Sequence, residues 1–263
     1  MDGAFEPISL GYSCEVKYQL SRALYMRKHP DGSEHELRNL LQTTERGQRS
    51  FERHIFDWQI TPFAAVLEYL DRDFQGVFER EDLTVKDGEV VHRRLGTRHP
   101  HDFHAADGVL DEAAIDAGYA DARGKFEHLA AKFRRHLRQP GPFLYVCKEI
   151  RIYDEVVRLA ALLRQADPDH AFQILFVGYD GEDQTLSALE GEVFKAWTPM
   201  APDKEPGHEW EGHNQAWEEA LAPWALTVHG GDRITRTYEE SLTPPPLQRT
   251  GRRGWLGRLL GGR

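Results

Sequence analysis

FLYVC at Phe143–Cys147, YDEVVRLAALLRQ at Tyr153–Gln165 and FQILFV at Phe172–Val177 are the segments that decide the fold. The first and third are short, apolar and rich in aromatic and β-branched residues, which is the pattern of buried strands. The middle segment carries apolar residues at helical spacing. Strand, helix and a second continuously apolar strand predict parallel pairing through a right-handed crossover. Pro140-Gly141-Pro142 ends the element before them.

Outward from this unit the alternation continues. Tyr119–Arg138 is a charged amphipathic helix with Phe126, Leu129, Ala130, Phe133 and Leu137 on one stripe. Ala64–Phe78 has helical periodicity. Lys86–His104 reads as two extended pieces around a turn at Asp87-Gly88, ending in the histidine-rich RHPHDFH. Near the amino end, Ile8–Gly11 is a strand candidate. A helix from about Cys14 to Leu24 follows, with Val16, Leu20 and Leu24 on one face and Ser13 as its N-cap. The polar stretch Lys28–Ser50 gives no clear boundaries. Downstream, a helix near Gln215–Ala220 precedes a strand candidate at Leu226–His229, and Trp197, Trp210, Trp217 and Trp224 read as core and cover. Strands alternating with helices predict an α/β fold, a three-layer sandwich with a mainly parallel central sheet. One domain over residues 1–242 is expected. Pro244-Pro245-Pro246 then opens a proline-rich linker and a basic, flexible tail over 243–263.

Charge narrows the functions. The chain of 263 residues has 33 Lys+Arg against 43 Asp+Glu, a net −10. Five of the arginines lie in Ser241–Arg263, which holds no acid, so the body carries −15 and the tail +5. A body that acidic argues against nucleic acid as a partner, because binding phosphates needs a basic surface. No run approaches the roughly 20 apolar residues of a membrane-spanning helix. The opening MDGAFEPISLG lacks the basic and apolar regions of a secretory signal, so a cytoplasmic location is expected. In the tail, Trp255, Leu256, Leu259 and Leu260 share a helical face among arginines. That pattern fits weak contact with the anionic inner membrane surface, although three glycines in Gly257–Gly262 favour a solvated tail.

The two cysteines have different settings. Cys147 lies inside an apolar strand and reads as a small core filler. Cys14 follows a strand and a glycine turn and opens a helix, where partial positive charge and unpaired N–H groups favour a thiolate and can cradle an oxyanion. The plain alternative is a packed cysteine at a strand–helix junction. A thiol nucleophile needs a base and the base needs an orienting group. His99, His101, Asp102 and His104 are the densest supply, and Pro100 disfavours a helical arrangement around His99. Asp57, between Phe56 and Trp58, can orient an imidazole or cap a turn; Asp102 adjoins His101 too closely for an easy direct bond. Asp180, in the Tyr179-Asp180-Gly181 turn after a strand, is a reserve acid at the end where open α/β sheets bind ligands. Ser13, Glu15, Trp58 and His104 complete the substrate-side and reserve set. No GxGxxG, GxxxxGK[ST] or GxSxG pattern is present, and the tight histidine spacing matches no metalloenzyme frame, so neither cofactor nor metal is expected.

SLGYSC (Ser9–Cys14), FDW (Phe56–Trp58), HDF (His101–Phe103) and FLYVCK (Phe143–Lys148) occur in an order and context that resembles a bacterial family of papain-like cysteine peptidases of otherwise unknown function. The resemblance spans roughly Ile8–Val177. It implies Cys14 as nucleophile and His101 as base, and it matches Asp57 and Asp102 without giving them roles. Ile55 stands where the family pattern has proline, and HPHDFH leaves both His101 and His104 as bases. A nucleophile directly after the first strand is also similar to SGNH-type hydrolases and acyltransferases. Peptide or small acyl substrates are implied by either likeness; a non-catalytic interaction protein is the third reading.

Overall fold

The side chains of Phe143–Cys147 alternate between two separate cores. Phe143, Tyr145 and Cys147 join one, and Leu144 and Val146 join the other. Both faces of the strand are therefore covered, which is what an unbroken apolar strand requires. The computed structural model describes residues 3–42, 53–104, 109–139, 141–149, 153–179, 192–199, 204 and 207–227. The expected linker and tail over 243–263 lie outside these, as does Asp180.

The elements are β1 (Glu6–Ser9), α1 (Cys14–Lys28), α2 (Glu34–Gln42), α3 (Phe63–Asp71), β2 (Leu83–Lys86), β3 (Glu89–His92), α4 (Glu112–His136), β4 (Phe143–Cys147), α5 (Tyr153–Gln165), β5 (Phe172–Tyr179), β6 (Val193–Thr198) and α6 (Asn214–Leu221). The central sheet runs β1-β4-β5-β6 and every pair is parallel. β2 and β3 form a separate antiparallel hairpin around Asp87-Gly88. On one face of the sheet, Phe63 and Val66 of α3, Phe126 and Phe133 of α4 and Leu159 and Leu163 of α5 pack on Ile8, Tyr145, Ile174 and Phe176. On the other, Val16 and Leu20 of α1 and Trp217 and Leu221 of α6 pack on Leu144, Val146, Leu175 and Val177. The fold is thus the expected α/β sandwich. Each of these fully buried side chains contributes about 1.5–3 kcal/mol.

Several boundaries differ from the sequence reading, each for a local reason. β1 starts at Glu6 and includes Pro7. The amides of Glu6 and Leu10 donate to Pro142 O (3.1 Å) and Val146 O (2.8 Å) of the β4 side, so by alternation Pro7 faces away, where its missing N–H costs nothing on this edge strand. The helix from Phe63 stops at Asp71, because Asp73, Phe74 and Gly76 turn the chain with φ of 47°, 59° and 60°. The helix expected from Tyr119 begins a full turn and more earlier, at Glu112, where Asp111 Oδ1 accepts the Ala114 amide at 2.8 Å. β6 was not foreseen: Lys195 and Trp197 in a half-buried edge strand blur its pattern. Leu226 makes a single parallel bridge to Phe5; the rest of that strand candidate lies beyond the described residues.

The helices after two neighbouring strands take opposite sides. α1 follows β1 into one core, and α5 follows β4 into the other. Between β1 and β4 the sheet therefore has a topological switch point, and the crevice at the carboxyl ends there is where open α/β sheets place ligands. Among the described residues, no helix is long and apolar enough to cross a membrane.

Candidate active site

Cys14 lies at that crevice. Past β1, Gly11 turns the chain with φ of 89°; a Cβ there would come within 3.0 Å of Thr61 Cβ, so glycine is required both by conformation and by space. Tyr12 follows in the same left-handed region (φ 80°), held by its amide to Thr61 O at 3.1 Å. Ser13 is extended and Cys14 begins α1. Ser13 takes the N-cap position, yet its side chain makes no cap hydrogen bond and its buried Oγ has no partner among the described residues. The serine side chain therefore does not occupy the first-turn amides of α1.

Cys14 Sγ is 3.7 Å from His101 Nε2. Burial pushes the thiol up to about 11 against the opposing hydrogen bond of the Cys14 amide, and the Asp57 and Glu89 carboxylates add smaller upward pushes. At neutral pH the resting group is a neutral thiol beside an imidazole. His101 itself is exposed, and its ring sits edge-on to Trp58, with centroids 6.1 Å apart.

The histidine cluster is divided by environment. His99 is 1% exposed, and its Nδ1 bonds Asp102 Oδ2 at 3.1 Å while its amide donates to Val90 O at 2.8 Å. Asp102 also pairs with Lys125 Nζ of α4. Burial alone would raise the Asp102 carboxyl; the His99 hydrogen bond and the Lys125 charge outweigh it and hold the group well below the usual carboxylate range. Phe103 is buried next to it. His99, Asp102 and Phe103 thus pin a short turn from inside, and His101 projects from its outer side toward Cys14. His104 is exposed, and the hydrogen bond to Cys14 is made by His101. Asp102 serves His99 rather than His101, a role the sequence concealed because Pro100 drew attention away from His99.

Asp57 is expected either to orient an imidazole or to cap the turn that follows it, and the structure gives it neither: it closes the preceding His54–Asp57 turn and joins an ion pair. Its Oδ2 accepts the His54 amide at 2.8 Å and pairs with Lys17 Nζ at 2.8 Å. Its Oδ1 is buried without a hydrogen-bond partner among the described residues, so Asp57 is not bonded to His101. Lys17 is three residues past Cys14 on α1, a helical spacing that could have marked it in advance. Glu15 is a structural residue: its carboxylate takes Lys148 at the end of β4 and Trp217 Nε1 of α6 at 2.8 Å. Gly212 allows that approach, since a Cβ there would fall 2.1 Å from Glu15 Oε1. Trp58 is brought to the site, and Trp210, which was read as cover, lies 6.2 Å from it. No local pattern signals Trp210. A small crevice lined in part by Gln59, Asp102, Lys125 and Phe126 includes neither Cys14 nor His101.

Metal ligands converge elsewhere. Among the described residues, Glu6, His54 and His136 bring donor atoms within 4.8 Å of one another, all buried, at the opposite end of β1 from Cys14. Burial, with the charges of Lys132 and Lys17, lowers His54 well below the ordinary histidine value and keeps it neutral. A two-histidine, one-carboxylate set is a zinc-type donor set, and it includes neither Cys14 nor His101. No protein-family model, no curated protein and no solved structure matches the chain.

Proposed function

We propose that the chain is a thiol hydrolase of the papain-like kind that works by acyl transfer through Cys14 with His101 as its base, on a peptide or small acyl substrate. The observation that carries this reading is the 3.7 Å separation of Cys14 Sγ and His101 Nε2 at an uncapped helix start. With the thiol raised to about 11, the proton leaves Sγ for His101 Nε2 as sulfur attacks the carbonyl carbon, not before. The carbonyl oxygen takes the negative charge and turns to the first-turn amides of α1. The leaving group departs with the proton from His101, and a thioester remains. His101 then takes a proton from water, whose oxygen attacks the thioester. Collapse releases the acid, and sulfur recovers its proton from His101.

A second reading shares this chemistry and differs in the acceptor. The nucleophile follows the first strand of a parallel sheet at a switch point, a layout closer to SGNH-type esterases and acyltransferases than to the two-part body of papain. In that case a hydroxyl replaces water in the last step. As a non-catalytic interaction protein, the chain would have no use for a thiol and imidazole in contact. We further place it in the cytoplasm, with its arginine tail touching anionic lipid. Co-sedimentation of the intact protein with phosphatidylserine vesicles, lost when Gly251–Arg263 is removed, is the expected result; no co-sedimentation removes that contact.

The catalytic reading is tested with a thiol-directed acyl probe. Cys14→Ala should abolish labelling while the circular dichroism spectrum is unchanged. Undiminished labelling of the variant would remove Cys14 as nucleophile.

A further inference from the structure

Four contacts, three of them between rings, link into a circuit that begins at the thiol. Cys14 Sγ meets His101 at 3.7 Å, His101 meets Trp58 with centroids 6.1 Å apart, Trp58 meets Trp210 at 6.2 Å, and Trp210 meets Tyr18 at 5.4 Å. Tyr18 lies four residues past Cys14 on α1, one turn along the same helix. The circuit has a reactive side and an aromatic side. We infer that its aromatic side, with Trp210 as the principal contact, binds an uncharged aromatic ring carried on the acyl side of the carbonyl that Cys14 attacks; this rests on the thiol-hydrolase reading above.

Three observations separate this wall from incidental surface. First, Trp210 is 44% exposed, although the three other large aromatics it could resemble, Tyr18, Trp217 and Trp224, are 5% exposed or less. Second, its exposure is not looseness. The short turn Glu209–Glu211 is fixed by Glu211, which is fully buried, forks onto Arg38 with bonds of 2.6 and 2.7 Å, and has its carbonyl bonded by Gln19 Nε2 at 2.6 Å. An indole on so firm a base is held out, with its conformational entropy already spent. Third, Trp58 has φ of 61°, the left-handed region that disfavours a bulky side chain and costs of order 1 kcal/mol or more. The surrounding fold maintains that conformation, and it aims the indole between His101 and Trp210.

The chemical class follows from what the wall offers. The exposed indole of Trp210 and the half-buried Trp58 present edges and faces suited to T-shaped or offset contact with another ring. The carboxylates that act on Cys14 are paired, Asp57 with Lys17 at 2.8 Å and Glu89 with Arg98 at 2.5 Å, so a neutral group suits the wall. A neutral ring carried on the acyl side satisfies both conditions.

The test compares two chloromethyl ketones on the full chain, one with a benzyl and one with a methyl group on the acyl side, with iodoacetamide as a size-independent reporter. In each case sulfur bonds the carbon, chloride or iodide leaves, and the thiol proton passes to His101 or solvent. The benzyl probe should label Cys14 about tenfold faster than the methyl probe. Trp210→Ala should erase that preference and leave the iodoacetamide rate unchanged, while Trp210→Phe should keep most of it. Equal rates for the two ketones in the wild type, with labelling still dependent on His101, overturn the wall and leave the thiol reading standing. A drop of the iodoacetamide rate in both Trp210 variants makes Trp210 a structural residue and also overturns it. No labelling of Cys14 by any of the three reagents overturns the thiol reading and the wall with it.

Discussion

β1 and β4 lie side by side in parallel register, with Ser9 opposite Val146, and each leads to a cysteine. The two thiols nevertheless have different fates. β4 continues straight through Cys147, which is 1% exposed and packs with Phe143 and Tyr145 in the core. β1 ends before its cysteine. Two left-handed residues, Gly11 and Tyr12, lift the chain out of the sheet and set Cys14 on a helix start beside an imidazole. The difference teaches that the setting of each thiol is made by the turn before it and not by the strand that leads to it. Three residues of backbone, fixed by one glycine and two bonds to Ser9 Oγ and Thr61 O, separate a thiol beside an imidazole from a core filler.

The strongest challenge to this contrast is to remove each sulfur in turn. Cys14→Ala should eliminate acyl-probe labelling and any hydrolytic turnover, measured by mass spectrometry of the intact chain; label appearing on Cys147 would break the comparison. His101→Ala should slow labelling by about 10²–10⁴-fold, the usual worth of a positioned base. An unchanged rate would mean that the 3.7 Å contact has no chemical use.

The pH profile sharpens the same contrast. Because the Cys14 thiol titrates at about 11, alkylation of wild type by iodoacetamide should rise about tenfold per pH unit above neutrality. A plateau below about pH 8 would instead reveal a resting thiolate–imidazolium pair.

Asp102→Asn tests the inner brace. Removing a carboxylate that is 7% exposed and paired with His99 and Lys125 should cost about 3 kcal/mol in urea unfolding, at the low end for a buried pair because Lys125 is partly exposed. The sign with pH follows from the depressed carboxyl: its stabilisation is full above the unfolded-state value and is lost as pH falls through the folded one. The variant should therefore show a flatter acid limb than wild type. The smallest effect is expected of Cys147→Ser, which introduces a hydroxyl into the core at about 1–3 kcal/mol and leaves labelling of Cys14 intact.

How much of this was legible before the structure depended on the range of the interactions. β4, α5 and β5 were readable because their apolar patterns are local and long, and the hairpin at Asp87-Gly88 announced itself by its turn residues. β1 was shortened because Pro7 masks an edge strand whose tolerance for proline depends on which neighbour its amides face. β6 was lost because an edge strand with Lys195 and Trp197 half-exposed has no clean alternation. In the site, Cys14 was visible from a strand, a glycine and a helix start in succession. Its pairing with His101 was implied by resemblance and then met in space. The roles of Asp57 and Asp102 were hidden, since their partners Lys17, His54, His99 and Lys125 are chosen by packing. Trp210 could not be found at all: it comes from 196 residues beyond Cys14 and carries no motif.

The bridge between Phe5 and Leu226 has a further consequence. Phe5 receives the Thr227 amide at 2.8 Å and gives its own to Ala225 O at 2.7 Å, so the outer edge of the first strand is finished by nearly the last described residues. A ribosome makes the thiol early and its surroundings late. Until about residue 227 has emerged, the strand ahead of Cys14 has an open edge and Trp210 has no finished seat. On the proposed reading, the surroundings of Cys14 are therefore finished only after the residues near 227 have been made.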